Sequence, residues 1–404
     1  MFLDGTLANP YKEAFRPIPM SFWATYWDVV AFYVLAILLL YLFRKKFEFQ
    51  GIVALFKTQF GVKFMTDLGK KHPKFWNVVG TIGIVIGYIG MAFITAYLVW
   101  GLYALVFVPD APPALSPVIP GVKIPGVPFA FPLWYTLIAL FFAIIVHEAM
   151  HGILASAYKI PIKSSGFAFL GPIPGAFVEP DEKTMAKRSR KEQLAILAGG
   201  PFANVVLAII ALALTFTLSI AAGTMIDNTG VAYTSIDDGT AAAAAGLPAV
   251  GTITAVDGVP VLDTTTLLSL LGEKKPGDAL TVTAENTDYA VTLAASPTDA
   301  DKAYLGVRDV SNATTRKDWA PNALYLATTI VMMTIFWTYV ISLGIGIANL
   351  LPIGPIDGGR MMLLTLEHFF EKERAKAIWG RGSMMLLFVV VILVFVPIIR
   401  AVFW

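Results

Sequence analysis

The chain has 404 residues, 57% hydrophobic and only 14% charged, a balance outside the soluble range of about 45–50% apolar and about 25% charged. It contains no cysteine, which excludes disulfides, a thiol nucleophile and thiolate metal ligands. The formal net charge of +2 gives no reason to expect a nucleic-acid partner, and any imidazole site must draw on four histidines: His72, His147, His151 and His368.

In chain order, the N-terminus lacks a basic stretch followed by an apolar core and a small-residue cleavage site, so no cleaved signal peptide is expected. Six apolar runs follow, near 24–43, 77–108, 133–157, 194–222, 323–350 and 383–403. Each approaches the roughly 20 residues that a helix needs to cross the hydrocarbon core. The second is long and carries Gly80, Gly83, Gly87 and Gly90, which suggests tilt or an end above the bilayer. Lysine and arginine concentrate in 44–75, 158–193 and 356–382, whereas 109–132 holds only Lys123 and 1–23 only Lys12 and Arg16. The positive-inside rule places the three basic segments in the cytoplasm and both termini outside. A multi-pass protein of the cell membrane, surrounded by lipid, is the expectation.

Residues 225–315 differ in character. Short strand patterns replace apolar runs, as in Gly251-Thr-Ile-Thr-Ala-Val-Asp-Gly258 and Ala279-Leu-Thr-Val-Thr-Ala284, and acidic residues outnumber basic ones. The alanine run 241–245 suits a short helix ending at Gly246. Topology puts this soluble segment on the extracytoplasmic side.

The chemistry lies in the third run. From Phe131 to Ala157 the ionisable side chains other than tyrosine are His147, Glu148 and His151. Such groups are costly at membrane depth, where they normally face a protein interior or a water-filled cavity. HExxH places two imidazoles on one helix face as metal ligands, with the carboxylate of Glu148 offset by about 100° and suited to contact a water. A catalytic zinc keeps three protein ligands and an open position. His72 and His368 sit among charged residues and read as solvated, so the better third candidate is Asp357, in the Pro/Gly-broken segment 349–359. The alternative for Asp357 is a helix cap.

These motifs together carry a resemblance. His147-Glu148-x-x-His151, Gly200-Pro201-x-x-Asn204 and Asn349-x-x-Pro352-x-x-x-x-Asp357-Gly358 look like the signatures of the site-2 protease family of intramembrane zinc metalloproteases. Residues 241–261 and Tyr304-Leu-Gly-Val307 resemble a PDZ module inserted between the motifs, as in many members. The implied fold is a polytopic α-helical membrane protein of about six transmembrane helices, with a membrane-associated β-hairpin and an α+β PDZ-like insertion. Its parts would be an N-terminal region of two transmembrane helices (1–130), a first catalytic half (131–224), the PDZ-like domain (225–315) and a second catalytic half (316–404).

The resemblance also implies roles. His147, His151 and Asp357 match the family's zinc ligands and Glu148 its general base. Asn204 and Asn349 match its motif asparagines, for which substrate-backbone or oxyanion support is the expectation and interhelical hydrogen bonding the alternative. Gly199 and Gly200 would let two helices approach closely. The segment 167–178 resembles the family's β-hairpin, whose open edge could pair with an unwound substrate or merely plug the cavity. The expected activity is cleavage within a transmembrane segment of a membrane-protein substrate, already trimmed of its ectodomain, with release of a cytoplasmic fragment. Two other readings stay open. One is the prenyl-protein type of membrane metalloprotease, whose third ligand is a glutamate (here Glu367, Glu371 or Glu373). The other is a non-enzymatic PDZ scaffold with a structural metal.

Overall fold

The computed structural model describes residues 22–403, apart from 52, 109, 110, 128 and 298. The expectations for the N-terminal segment, including the side on which the chain begins, lie outside the described residues. One compact unit comprises Ser21–Phe216 with Ile330–Trp404, and the other is Thr217–Thr329.

The first unit opens with α1 (Phe22–Leu42). A hairpin follows, β1 (Glu48–Gln50) and β2 (Val53–Thr58), then α2 (Val62–Lys71) and α3 (Pro73–Phe107). Next come α4 (Leu133–Ala157), β3 (Ile162–Leu170), β4 (Ile173–Pro180) and α5 (Arg190–Thr224). It closes with α6 (Asn322–Asn349), α7 (Asp357–Phe369) and α8 (Lys372–Phe403). Among the described residues, α3, α4, α5, α6 and α8 are long and apolar enough to cross a membrane. The described side chains of α1 begin at Tyr26, which leaves a shorter apolar stretch, Tyr26–Leu42.

Three glycines of α3 have a packing reason. Pro73 opens the helix at a position whose missing N–H costs nothing. Gly80, Gly83 and Gly87 then present one face, where an added Cβ would meet Ala195, Phe202 and Ala198 of α5 or Met361 of α7. Without Cβ atoms the backbones approach closely, the usual device for helix association in lipid.

The basic segment 44–75 is structured. It folds as β1–β2 and the helix α2. β2 pairs antiparallel with β3 (Phe56 opposite Phe167), so the expected two-stranded hairpin is half of a four-stranded sheet ordered β1-β2-β3-β4. One edge of β3 is thereby covered, and β4 is the edge strand. α2 lies against α4, where Gly69 and Gly152 leave room that a Cβ would fill.

The second unit is built on a six-stranded sheet. Its main path runs Thr287–Thr292, Ala279–Ala284, Gly251–Val256, Ile226–Tyr233, Ser311–Arg316, every pairing antiparallel. Asp257 and Gly258 both take positive φ (51° and 76°), as the two-residue turn between Val256 and Val259 demands. Alternate residues Val231, Tyr233, Ile253, Val282 and Val291 face one apolar core, together with Leu267 of the helix Thr264–Gly272. Asp263 caps that helix by accepting the Thr266 N–H at 2.7 Å.

Candidate metal centre

On α4 the buried positions Thr136, Ala139, Leu140, Ala143, His147, His151 and Leu154 recur at helical spacing. His147 and His151 therefore belong to the face that α4 turns inward, with their rings 4.8 Å apart. Asp357 arrives from the other end of the chain. Asn349 ends α6, Pro352 and Gly354 (φ +35°) break the backbone, and Asp357 begins α7. Gly358 and Gly359 permit this turn, because a Cβ at either would meet the carbonyls of residues 350–354.

The result brings one ligand atom each from His147, His151 and Asp357 within 4.8 Å of one another. Asp357 Oδ2 lies 3.1 Å from His147 Nε2 and 3.4 Å from His151 Nε2. A tetrahedral site with bonds of about 2.0–2.1 Å has an edge of roughly 3.3 Å, so the spacing suits a cation. The donor set, two imidazoles and a carboxylate, fits zinc and other divalent ions. Space for the ion is kept by Gly200 on α5. A Cβ there would stand 2.6 Å from His147 Nε2 and closer still to His151 Nε2. Sequence alone offered only helix packing for Gly200. Packing does describe its neighbour Gly199, whose Cβ would meet Leu154.

Glu148 sits beside this group. Its Oε2 accepts the Val178 N–H of β4 at 2.9 Å, and its side chain lines a cavity of about 710 Å³ with His147, His151, Asn349, Asp357 and Arg360. Ion pairs run along that cavity: Lys57 with Glu179, Lys163 with Asp181 and Arg360 with Glu182. The ammonium of Lys163, helped by Thr184, holds the Asp181 carboxyl well below the usual range. A second cavity, about 420 Å³ and apolar, touches Glu148 and Val178 from another side and is walled by Phe60, Phe64, Phe167 and Phe177.

The other candidates separate clearly. Asn349 lines the metal-facing cavity, with its amide donating to the Ile345 carbonyl at 3.1 Å. Asn204, expected to support substrate or the oxyanion, is fully buried, its Nδ2 3.2 Å from His147 Nδ1. It is not among the residues lining that cavity. His72 precedes α3 and is exposed, and His368 is exposed beside the Arg190 guanidinium. Glu371 and Glu373 are exposed too, and no glutamate joins the metal-capable group among the described residues.

Residues 135–390, which include all of these motifs, match the sequence profile of Peptidase family M50. The chain belongs to that family, the site-2 proteases. As an M50 protein with these apolar helices it is an integral membrane protein of a metallopeptidase family. It is 36% identical over 165 residues to the uncharacterized protein MJ0971 of Methanocaldococcus jannaschii, a match covering 39% of this chain and 41% of that protein. The chain thus spans less than half the length of that curated relative. A solved PDZ domain, from the SdrC-like protein of Listeria monocytogenes, is 22% identical over 20% of this M50 chain and 86% of its own, with a TM-score of 0.18. That overlap is too slight to assign a fold.

Proposed function

We propose that this chain is an intramembrane zinc endopeptidase that cuts a membrane-protein substrate within or next to a transmembrane segment. The observation that carries the proposal is the convergence of His147, His151 and Asp357 around a space kept by Gly200, with Glu148 alongside. Zinc held by His147, His151 and Asp357 would supply Lewis-acid polarisation of a carbonyl and acidify a water. Glu148 is the group suited to take a proton from an attacking water and return it to the departing amine. The Val178 N–H orients the carboxylate for this task. Water reaches the site through the polar cavity, and Asn349, which lines that cavity, contacts the substrate backbone on this reading.

The substrate strand docks on β4. Because the Val178 N–H points away from β3, so does the N–H of Ala176, two residues earlier on the same edge. Positions 174 and 180 on that edge are prolines without an N–H. The open edge therefore offers a single unclaimed donor, at Ala176. Ala176→Pro is expected to cut the cleavage rate by up to about tenfold, the worth of one backbone hydrogen bond, with the fold and metal content intact. Phe177→Pro is its contrast: that N–H faces β3, so pairing with Gly166 is lost and stability falls. Unchanged cleavage by Ala176→Pro, with the sheet preserved, would remove strand docking.

On the positive-inside reading of the basic segments the site opens towards the cytoplasm, and the Thr217–Thr329 unit, read as PDZ-like and extracytoplasmic, acts as a size filter for pre-trimmed substrates. The experiment loads the full-length protein with zinc and follows cleavage of a single-span test substrate, with and without a bulky ectodomain. His147→Ala and Asp357→Asn should each lose both metal and activity. Metal-free yet active variants would end the metalloprotease reading, and equal cleavage of the two substrates would end the size filter.

A further inference from the structure

The structure assigns Asn204 a task on the metal ligand instead of on the substrate: its carboxamide oxygen accepts the Nδ1 proton of His147, which leaves Nε2 as a lone pair for the ion. The inference rests on the metal reading of the site. It starts from His151, whose Nδ1 lies 2.7 Å from the Ile196 carbonyl. A carbonyl only accepts, so Nδ1 of His151 carries hydrogen, which makes Nε2, 3.4 Å from Asp357 Oδ2, the nitrogen that can offer a lone pair to an ion. His147 turns its Nε2 to the same carboxylate, at 3.1 Å, and needs the same tautomer.

The partner for its Nδ1–H is at hand. Asn204 is 0% exposed, its amide head lies 3.2 Å from His147 Nδ1, and its Oδ1 otherwise has no hydrogen-bond partner. An amide N–H pointed at Nδ1 would force the ring hydrogen onto Nε2 and spoil the ligand. A half-turn about the last side-chain bond exchanges oxygen and nitrogen in nearly the same space, giving the orphaned oxygen the Nδ1 proton. The side chain is held for this. The Asn204 carbonyl accepts from buried Ser342 Oγ at 2.9 Å, and Gly346 leaves α6 close against the Asn204 Cβ.

Ile196, Gly200 and Asn204 follow one another at intervals of four, hence on one face of α5. Pro201 contributes, since it has no N–H for the carbonyl four residues back and loosens the helix beside Ile196. This single face steadies His151 from one end and His147 from the other, and it leaves the gap between for the ion. Gly-Pro-x-x-Asn thus reads as the backing plate of the metal site. Partners of this kind hold a metal-bound ring in place, and their loss typically weakens metal binding about 10–100-fold.

The test compares Asn204→Leu, of similar size without an acceptor, with Asn204→Asp, which keeps an acceptor oxygen in either protonation state. Zinc affinity of the full-length protein in detergent is measured by competition with a chromogenic chelator, and the ligand field by the visible spectrum of the cobalt-loaded protein. Asn204→Leu should bind zinc about 10–100-fold more weakly and alter the cobalt spectrum, while Asn204→Asp stays within a few-fold of wild type. Wild-type affinity in Asn204→Leu overturns the assignment, as does an Asn204→Asp as weak as the leucine variant. If Asn204→Leu does not fold, Asn204→Asp decides alone, a tenfold loss counting against the assignment. Wild-type protein that binds no more zinc than His147→Ala would sink the metal reading itself, an outcome separate from these.

Discussion

Glu148→Gln is expected to keep the full zinc content of the wild-type protein and to lower cleavage of a transmembrane test substrate by about 10²–10⁴-fold, the usual contribution of a positioned acid–base group. The substitution is nearly isosteric, and the glutamine carbonyl oxygen can still accept the Val178 N–H that Glu148 holds at 2.9 Å. The three atoms grouped for the metal come from His147, His151 and Asp357, so nothing in the ligand set changes. What disappears is the capacity to take a proton from water and return it to the leaving amine. A purely structural metal, as in the scaffold reading, has no use for that capacity. The measurements are metal content by atomic emission and initial cleavage rates in matched detergent. Activity in Glu148→Gln close to wild type would dismiss the proposed general base.

Gly200→Ala is expected to empty the metal site although every ligand is present. Its Cβ would sit 2.6 Å from His147 Nε2 and nearer to His151 Nε2, inside the contact distance of real atoms and in the space the ion needs. Zinc content should fall to the level of His147→Ala, and cleavage with it. The fold should not suffer in the same way, because alanine in a helix interior is favoured over glycine by about 1 kcal/mol. Gly199→Ala is the control: the added methyl meets the movable end of Leu154, so the expected cost is packing and not metal. Thermal unfolding and metal analysis on the two variants separate the cases. A Gly200→Ala protein that holds zinc as tightly as wild type would show that the ion lies elsewhere.

Local signals in the chain were sufficient for much of this protein. Long apolar runs report on lipid because each residue of a spanning helix meets hydrocarbon or another apolar helix. Hence the spans at Pro73–Phe107, Leu133–Ala157 and Asn322–Asn349 are legible from composition alone. HExxH is legible because helical geometry converts a spacing of four into a shared face. The strands of the Thr217–Thr329 unit are readable for a like reason, since alternate residues of Gly251–Val256 and Ala279–Ala284 face its core.

Other features needed the folded chain. β1 and β2 escaped detection because a short strand is defined by its partner, and β2 pairs with β3 more than a hundred residues away. The edge that β4 leaves open, and the lone donor at Ala176, depend on that pairing. Asn204 carries the same letters in sequence whether it faces a substrate or the back of an imidazole, and only the packing of α5 against α4 chose the latter. Gly200 is the sharpest case. By itself the sequence determined the candidate group His147, His151 and Asp357 and the apolar helices around it. The tertiary structure alone decided which small residue keeps the ion's place, because an absent side chain acquires meaning only from what would otherwise collide with it.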